Sequence, residues 1–341
     1  MRKTSGLIAS VALLGASLFV GPAASASPVS ITGGGSSFAG GIFTACAAAY
    51  TTNTVTYTPS SSGTGRSAFA NGSITFAGSD AGYGATDKKP SGFTYVPVIG
   101  GPVAIVFNVP GVRSLNLDAA TVGAIFNGKI TKWNDAAIKK LNPRAALPDA
   151  TITPVYRSSN SGTTENFSNY LAQNKVAGWT KSGSWSTATG LSTPVGSGQS
   201  TSALLADKVE STTNSIGYAD LVDVKKKALP AAALRNGSGQ FVLPTAAAAA
   251  RYLAAQTVGV KDKGLVNIDF TKKVRGAYNL SILTYMIAPT DASDTAKALA
   301  VKDFAKYILN TCAPSKAADL GYVALTGSLK TTALRLTDSI D

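Results

Sequence analysis

The chain has 341 residues, 45% of them hydrophobic and only 14% charged, a composition of folded domains rather than of a disordered or coiled-coil chain. It has no histidine and two cysteines, which excludes a Ser-His-Asp triad, histidine-ligated zinc and a four-cysteine metal centre. The net charge of +13 is scattered, with Lys225-Lys226-Lys227 the longest run, so it attracts anions in general and does not mark a nucleic-acid groove. No metal, cofactor or nucleic acid is expected.

Residues 1–26 read as an export signal: Arg2-Lys3, an apolar stretch over 7–20, and the Ala24-Ser25-Ala26 cleavage pattern. No cysteine lies near that site, so a lipid anchor is not expected. No later stretch is long and apolar enough to span a bilayer. The mature chain is therefore expected to be exported, in a periplasm or at a cell surface. In such a compartment two cysteines tend to pair, so a Cys46–Cys312 disulfide is predicted between the first helix and a C-terminal one.

Further along, a strand is predicted over 30–32, a glycine turn over 33–38 and a small-residue helix over 39–50. A strand over 54–58 leads through Ser60-Ser61-Ser62-Gly63-Thr64-Gly65-Arg66 into a helix over 67–71. A buried strand over 74–80 ends in Asp80. The apolar run 95–109 reads as a strand leaving one domain for another. Helices are predicted over 119–126 and 136–141, the second stopped by Asn142-Pro143. A strand over 151–153 precedes a turn and a helix over 166–171. A Gly/Ser/Thr/Trp loop over 178–190, a helix over 201–209 and a strand over 215–219 come next. An Ala-rich helix over 244–255 is followed by a strand over 280–287 that returns to the first domain. Last comes an amphipathic helix over 294–309, with Leu299, Phe304, Tyr307 and Ile308 facing the core. Strands and helices in alternation argue α/β.

The turn from Arg157 through Ser161, Gly162 and Thr163 has the chemistry of an anion pocket. A helix start offers free N–H groups, Gly162 lets an anion approach the backbone, hydroxyls add donors, and Arg157 supplies a planar fork. Alone, such a turn is equally an ordinary strand-to-helix connection with a surface arginine. Three strand–turn–helix units of this kind in one chain strengthen the oxyanion reading. Asp80 contradicts a simple anion site unless the anion carries a proton that the carboxylate can accept; otherwise Asp80 is a turn or cap residue.

These residues together resemble the phosphate-binding protein of bacterial high-affinity phosphate ABC transporters. Ile31 to Phe38 is similar to that family's T-G-A-G-(A/S)-(T/S)-F opening. Ser61-Ser62-Gly63, Phe76 to Asp80, Val98-Ile99-Gly100-Gly101, Gly128 to Pro143, Arg157-x-x-x-Ser161-Gly162-Thr163 and Ile216-Gly217-Tyr218 follow its order and spacing. The resemblance implies a type II periplasmic-binding fold of two α/β lobes with a ligand cleft and a strand hinge. Lobe I would comprise 27–98 and 280–341, and lobe II 99–279. It further implies phosphate ligands at Ser37, the Phe38 amide, Ser61, Asp80, Arg157, Ser161, Gly162 and Thr163. The protein would be a monomer, not an enzyme, that delivers inorganic phosphate to a membrane ABC permease. One departure is Ser159, where the family often has an aspartate beside the arginine. Alternative readings are a sulfate-like oxyanion binder and a phosphatase or adhesin built on the same scaffold.

Overall fold

The computed structural model describes residues 27–257 and 262–341, so the segment read as an export signal lies outside the described residues. In chain order the first elements are β1 (Ser30–Gly35), α1 (Gly40–Ala49), β2 (Thr54–Pro59), α2 (Ser62–Ala70), β3 (Phe76–Ser79), β4 (Phe93–Pro102), β5 (Ala104–Asn108), β6 (Asn116–Leu117), α3 (Ala119–Phe126) and α4 (Ala136–Leu141). Then come β7 (Thr153–Arg157), α5 (Gly162–Gln173), α6 (Trp185–Thr189), β8 (Ser197–Gln199), α7 (Ser202–Ser211), β9 (Ser215–Ala219), α8 (Leu221–Lys226), β10 (Ala233–Arg235), β11 (Phe241–Val242) and α9 (Ala246–Ala254). The chain closes with β12 (Ser281–Pro289), α10 (Thr295–Tyr307), a π-helical turn (Ile308–Cys312), α11 (Ala313–Lys316), β13 (Val323–Ala324) and α12 (Gly327–Thr337). Eight of the helices open on a Ser, Thr or Asp whose side chain accepts a first-turn N–H, so caps fix where they begin.

The architecture is mixed α/β. A six-stranded sheet runs β13-β4-β12-β3-β1-β2, and a four-stranded sheet runs β5-β9-β7-β8. A small sheet, β11-β10-β6, completes it. In the large sheet β1, β2 and β3 are parallel, and β12 is antiparallel to both β3 and β4. The predicted 95–109 run is split: β4 stays in the large sheet to Pro102, and β5 starts the second sheet at Ala104. The chain returns at Ser281, which pairs with Pro102. The two crossings therefore lie side by side.

Each sheet carries its own aromatic core. Phe43 stacks on Tyr57 at 4.5 Å beneath the large sheet, with Phe76 beside them. Phe167 stacks on Tyr218 at 4.5 Å behind the second sheet, with Phe126, Trp179 and Trp185 around it. Cys46 and Cys312 form the predicted disulfide, which joins α1 to the π-helical turn across 266 residues of sequence.

Several predicted boundaries move. The helix predicted at 67–71 begins at Ser62, although Gly63 and Gly65 are weak helix formers. Close packing explains them: a Cβ on Gly65 would lie 2.6 Å from the Gly35 Cα. The helix predicted at 166–171 begins at Gly162, and the loop predicted at 178–190 contains α6, anchored by buried Trp185. In α10 the inward face is Ala298, Val301, Phe304 and Ala305, whereas Leu299, expected in the core, is 47% exposed.

Candidate oxyanion site

The parallel strands of both sheets end at the same cleft, where open α/β sheets bind ligands. β1 delivers Ser36 and Ser37, β2 delivers Ser60 and Ser61, and β3 delivers Asp80. On the facing side β7 ends in Arg157, and β8 leads to Ser200 and Ser202.

Asp80 is 4% exposed, and its two oxygens have unlike surroundings. Oδ1 accepts from Ser36 Oγ at 2.6 Å and from Thr284 Oγ1 at 2.8 Å. Oδ2 has only longer donors, Thr163 Oγ1 at 3.3 Å and Ser62 Oγ at 3.4 Å. Oδ2 thus keeps acceptor capacity toward the cleft. Thr284 sits at a bulge where β12 slips against β4 beside Pro97, whose missing N–H cannot join the ladder. Burial pushes the Asp80 carboxyl above its ordinary range, and the Ser36, Thr284 and Thr163 hydroxyls and Arg157 pull it partly back.

Arg157 is 1% exposed. Its guanidinium touches only neutral oxygens: Ser200 O from Nε at 3.1 Å and from Nη2 at 2.7 Å, Ser60 O at 3.3 Å, Ser159 Oγ at 3.0 Å and Ser202 Oγ at 3.3 Å. Ser159, in the place of the family acid, donates a hydrogen bond from its hydroxyl to Ser200 O at 2.9 Å. Among the described residues no carboxylate lies within 4.0 Å of Arg157. Burial draws the guanidinium pKa down from its ordinary value, with Tyr218 and Asp80 opposing. The strand that presents it is held from behind, because Arg157 N donates to Tyr218 Oη at 2.9 Å.

Two helix N-termini converge between these charges. Ser61 caps α2 by accepting from Thr64 N, and Ser161 caps α5 by accepting from Thr164 N, both at 3.2 Å. Ser161 keeps its hydroxyl proton to donate, the Ser61 hydroxyl also meets Thr64 Oγ1 at 2.9 Å, and the first-turn N–H groups of Ser62, Gly162 and Thr163 lack an intrahelical acceptor. Phe38 is held by Tyr322, whose Oη donates to Phe38 O at 2.7 Å. Ser37 bridges to the start of α7, accepting from Ser202 N at 3.0 Å. Ser37, Ser61, Asp80, Arg157, Ser161, Gly162 and Thr163 are thus brought to the walls of this cleft, whereas the Phe38 contact described is that of its carbonyl with Tyr322.

The walls of the cleft touch. Gly63 N donates to Asn160 O at 2.9 Å, and Asn166 Nδ2 donates to Asp80 O at 2.7 Å. A Cβ on Gly162 would lie 2.4 Å from Ser62 Oγ and 2.9 Å from Asp80 Cβ; one on Gly63 would lie 2.7 Å from Asn160 Cβ. Gly63 therefore meets the Asn160 backbone across this seam, and Gly162 meets the Ser62 and Asp80 side chains.

The sequence matches the family model of the PBP superfamily domain over residues 22–311. It is 33% identical over 307 residues to the phosphate-binding protein PstS of Xylella fastidiosa strain Temecula1, covering 88% of this chain and 83% of the relative. The chain belongs to the PstS phosphate-binding protein family. Phosphate-binding protein PstS 3 of Mycobacterium leprae is 32% identical over 287 residues, covering 81% and 76%. A high-affinity periplasmic phosphate-binding protein solved with phosphate superimposes with a TM-score of 0.72 at 20% identity, covering 89% and 92%. A phosphate-binding protein from Stenotrophomonas maltophilia gives 0.71 at 18%, covering 90% and 93%. These structural likenesses establish the two-lobed fold.

Within this PstS family member, five residues of the site escaped the sequence reading: Ser36, Ser62, Ser200, Ser202 and Thr284. Ser36 and Ser62 adjoin residues that were singled out. Ser200 and Ser202 sit at the start of the helix predicted over 201–209, after a Gly/Ser turn of a composition common to ordinary loops. Thr284 lies in a strand run where a β-branched residue carries no signal of its own.

Proposed function

We propose that this protein captures inorganic phosphate between two lobes and hands it to a membrane ABC permease, without chemical conversion. The observation that carries this reading is Arg157: a buried cation whose hydrogen-bond partners are all neutral, on the same cleft as a carboxylate whose Oδ2 has only long donors. A buried charge without a counter-ion is costly, and an anion in the cleft supplies that counter-ion. Two helix N-termini and the Ser37, Ser61 and Ser161 hydroxyls would direct donors to the same point, the Phe38, Gly162 and Thr163 amides would complete the set, and the Thr163 hydroxyl, which donates to Asp80 in the structure, would turn to the ligand when it binds. Asp80 Oδ2 accepts the ligand's proton, which HPO₄²⁻ and H₂PO₄⁻ possess and sulfate lacks near neutral pH. Charge-assisted hydrogen bonds of about 1.5–3 kcal/mol each make micromolar or tighter affinity attainable after the cost of closure.

In this reading lobe I, 27–98 and 280–341, carries the large sheet and both chain ends, and 99–279 is lobe II, the end of β4 from Ile99 to Pro102 still pairing in the large sheet as the chain crosses. The protein acts as a monomer outside the cytoplasm. Among the described residues no helix is long and apolar enough to cross a membrane. The test is calorimetric titration of protein refolded free of ligand, with phosphate and then with sulfate. Tight one-to-one phosphate binding with sulfate silent is expected. Equal affinity for sulfate would overturn the role of Asp80, and silence for both would overturn the function.

A further inference from the structure

The stretch 225–275 holds ten basic residues against two acidic ones, Asp262 and Asp269, and four of the ten, Arg235, Arg251, Lys273 and Arg275, gather around one hairpin. β10 and β11 pair antiparallel with Arg235 opposite Phe241, and the Arg235 guanidinium lies over the Phe241 ring at 5.5 Å. The connecting loop is fixed to the segment after Thr271. Asn236 Nδ2 donates to Val274 O at 3.2 Å and to Ala277 O at 3.1 Å, and Gly276 N donates to Gln240 Oε1 at 2.8 Å. These bonds bring Lys273 and Arg275 beside the hairpin. Arg251 joins them, its Nη1 donating to Gly276 O at 3.4 Å. Arg235, Arg251, Lys273 and Arg275 are all exposed, and none takes part in an ion pair among the described residues.

Beside these cations stand Phe241 and Leu243, 37% and 55% exposed, two of the four most exposed large apolar side chains described. They are two positions apart, Phe241 in β11 and Leu243 just after it, with the less exposed Val242 between them. Free cations with exposed apolar groups between them are what an anionic lipid surface recognises: headgroups take the charge, and the acyl boundary takes the rings and branched chains. A polyanion without an apolar layer would leave Phe241 and Leu243 unused. We propose that the face around the β10–β11 hairpin docks on an anionic bilayer surface. This inference stands apart from the phosphate reading, so phosphate binding serves as a control for folding.

The test is co-sedimentation of the mature chain with vesicles of phosphatidylcholine, alone or containing phosphatidylglycerol. Binding to the anionic vesicles only, lost at high salt, is expected. Arg275→Gln should weaken it about fivefold, the effect of one cation near an anionic surface. Phe241→Ser with Leu243→Ser should weaken it at unchanged charge, with phosphate binding intact. Neutralising Lys139 and Lys140, exposed lysines of α4, should leave it unchanged. Equal losses from the α4 and hairpin variants would reduce the attraction to net charge and overturn the proposal. Failure to bind anionic vesicles, with polyglutamate binding still cut by the hairpin variants, would overturn it in favour of an acidic protein partner.

Discussion

The two buried charges of the cleft are solved in opposite ways. Asp80 is surrounded by hydroxyl donors, Ser36, Thr284, Thr163 and Ser62. Arg157 is surrounded by oxygen acceptors, above all the Ser200 and Ser60 carbonyls. Neither is neutralised by an ion within 4.0 Å among the described residues. Neutral dipoles hold each ion in place without cancelling it, so both charges remain available to a ligand. An internal Arg–Asp ion pair would have been satisfied already and would compete with the anion. In the proposed function this difference divides the work: Arg157 would attract charge, and Asp80 would ask whether that charge carries a proton.

Removing the attracting side should cost most. Arg157→Met is expected to weaken phosphate binding by about 10²- to 10⁴-fold, the value of two charge-assisted hydrogen bonds, measured by calorimetry. Sulfate, if it binds at all, should fall in parallel. A loss of less than tenfold would mean that the helix N-termini alone hold the anion.

Asp80→Asn comes next, with phosphate weakened by about 10- to 100-fold and the gap to sulfate narrowed. The same variant has a stability signature. Burial raises the Asp80 pKa, so the folded protein holds that proton more tightly than the unfolded chain does. The ionisation cost is absent well below the ordinary value of 3.8 and grows as pH rises through the folded-state value. Ligand-free wild type should therefore lose melting temperature relative to Asp80→Asn as pH rises through that range. Parallel melting curves at every pH would show that Asp80 is not strained by burial.

A smaller effect is expected from Thr284→Val, which keeps the shape and deletes one donor to Oδ1. The Asp80 pKa should rise further, and the acid limb of the phosphate-binding pH profile should move to higher pH, with affinity at neutral pH down about three- to tenfold. A uniform loss at all pH values would make Thr284 a packing residue only. Smallest of all, Ser159→Asp sets a carboxylate beside Arg157 Nη2. It should weaken phosphate by less than about tenfold while reducing the salt dependence of binding. Tighter binding would show that Arg157 needs orienting more than it needs its free charge.

Much of this was legible in the sequence because the ligand turns are local. Arg157, Ser161, Gly162 and Thr163 lie within seven consecutive residues, and Asp80 stands out as an acid ending a buried strand. The α/β alternation and the export-linked cysteine pair were readable for similar reasons: each rests on pattern or count. The partners of Asp80 and Arg157 were not readable, because they are made by sheet registry over long separations, 204 residues between Thr284 and Asp80 and 43 between Ser200 and Arg157. The start of α2 was missed because the glycines that lower its propensity are the ones its packing requires. Leu299 was misplaced because small residues, Ala298 and Ala305, face the core of α10 in its stead.

The glycine seam has one more consequence. Gly63 lies against Asn160 and Gly162 against Ser62 and Asp80 with no room for a Cβ, so in the proposed two-lobe capture the walls meet at a hard stop. The shut cleft then has one width, as the jaws of a calliper have at zero. A single methyl, as in Gly162→Ala, would act as a doorstop and leave the jaws ajar. By the same logic an oxyanion of identical charge and proton count but longer bonds, such as arsenate, is measured against that gap, so the protein gauges size by the fit of its two walls.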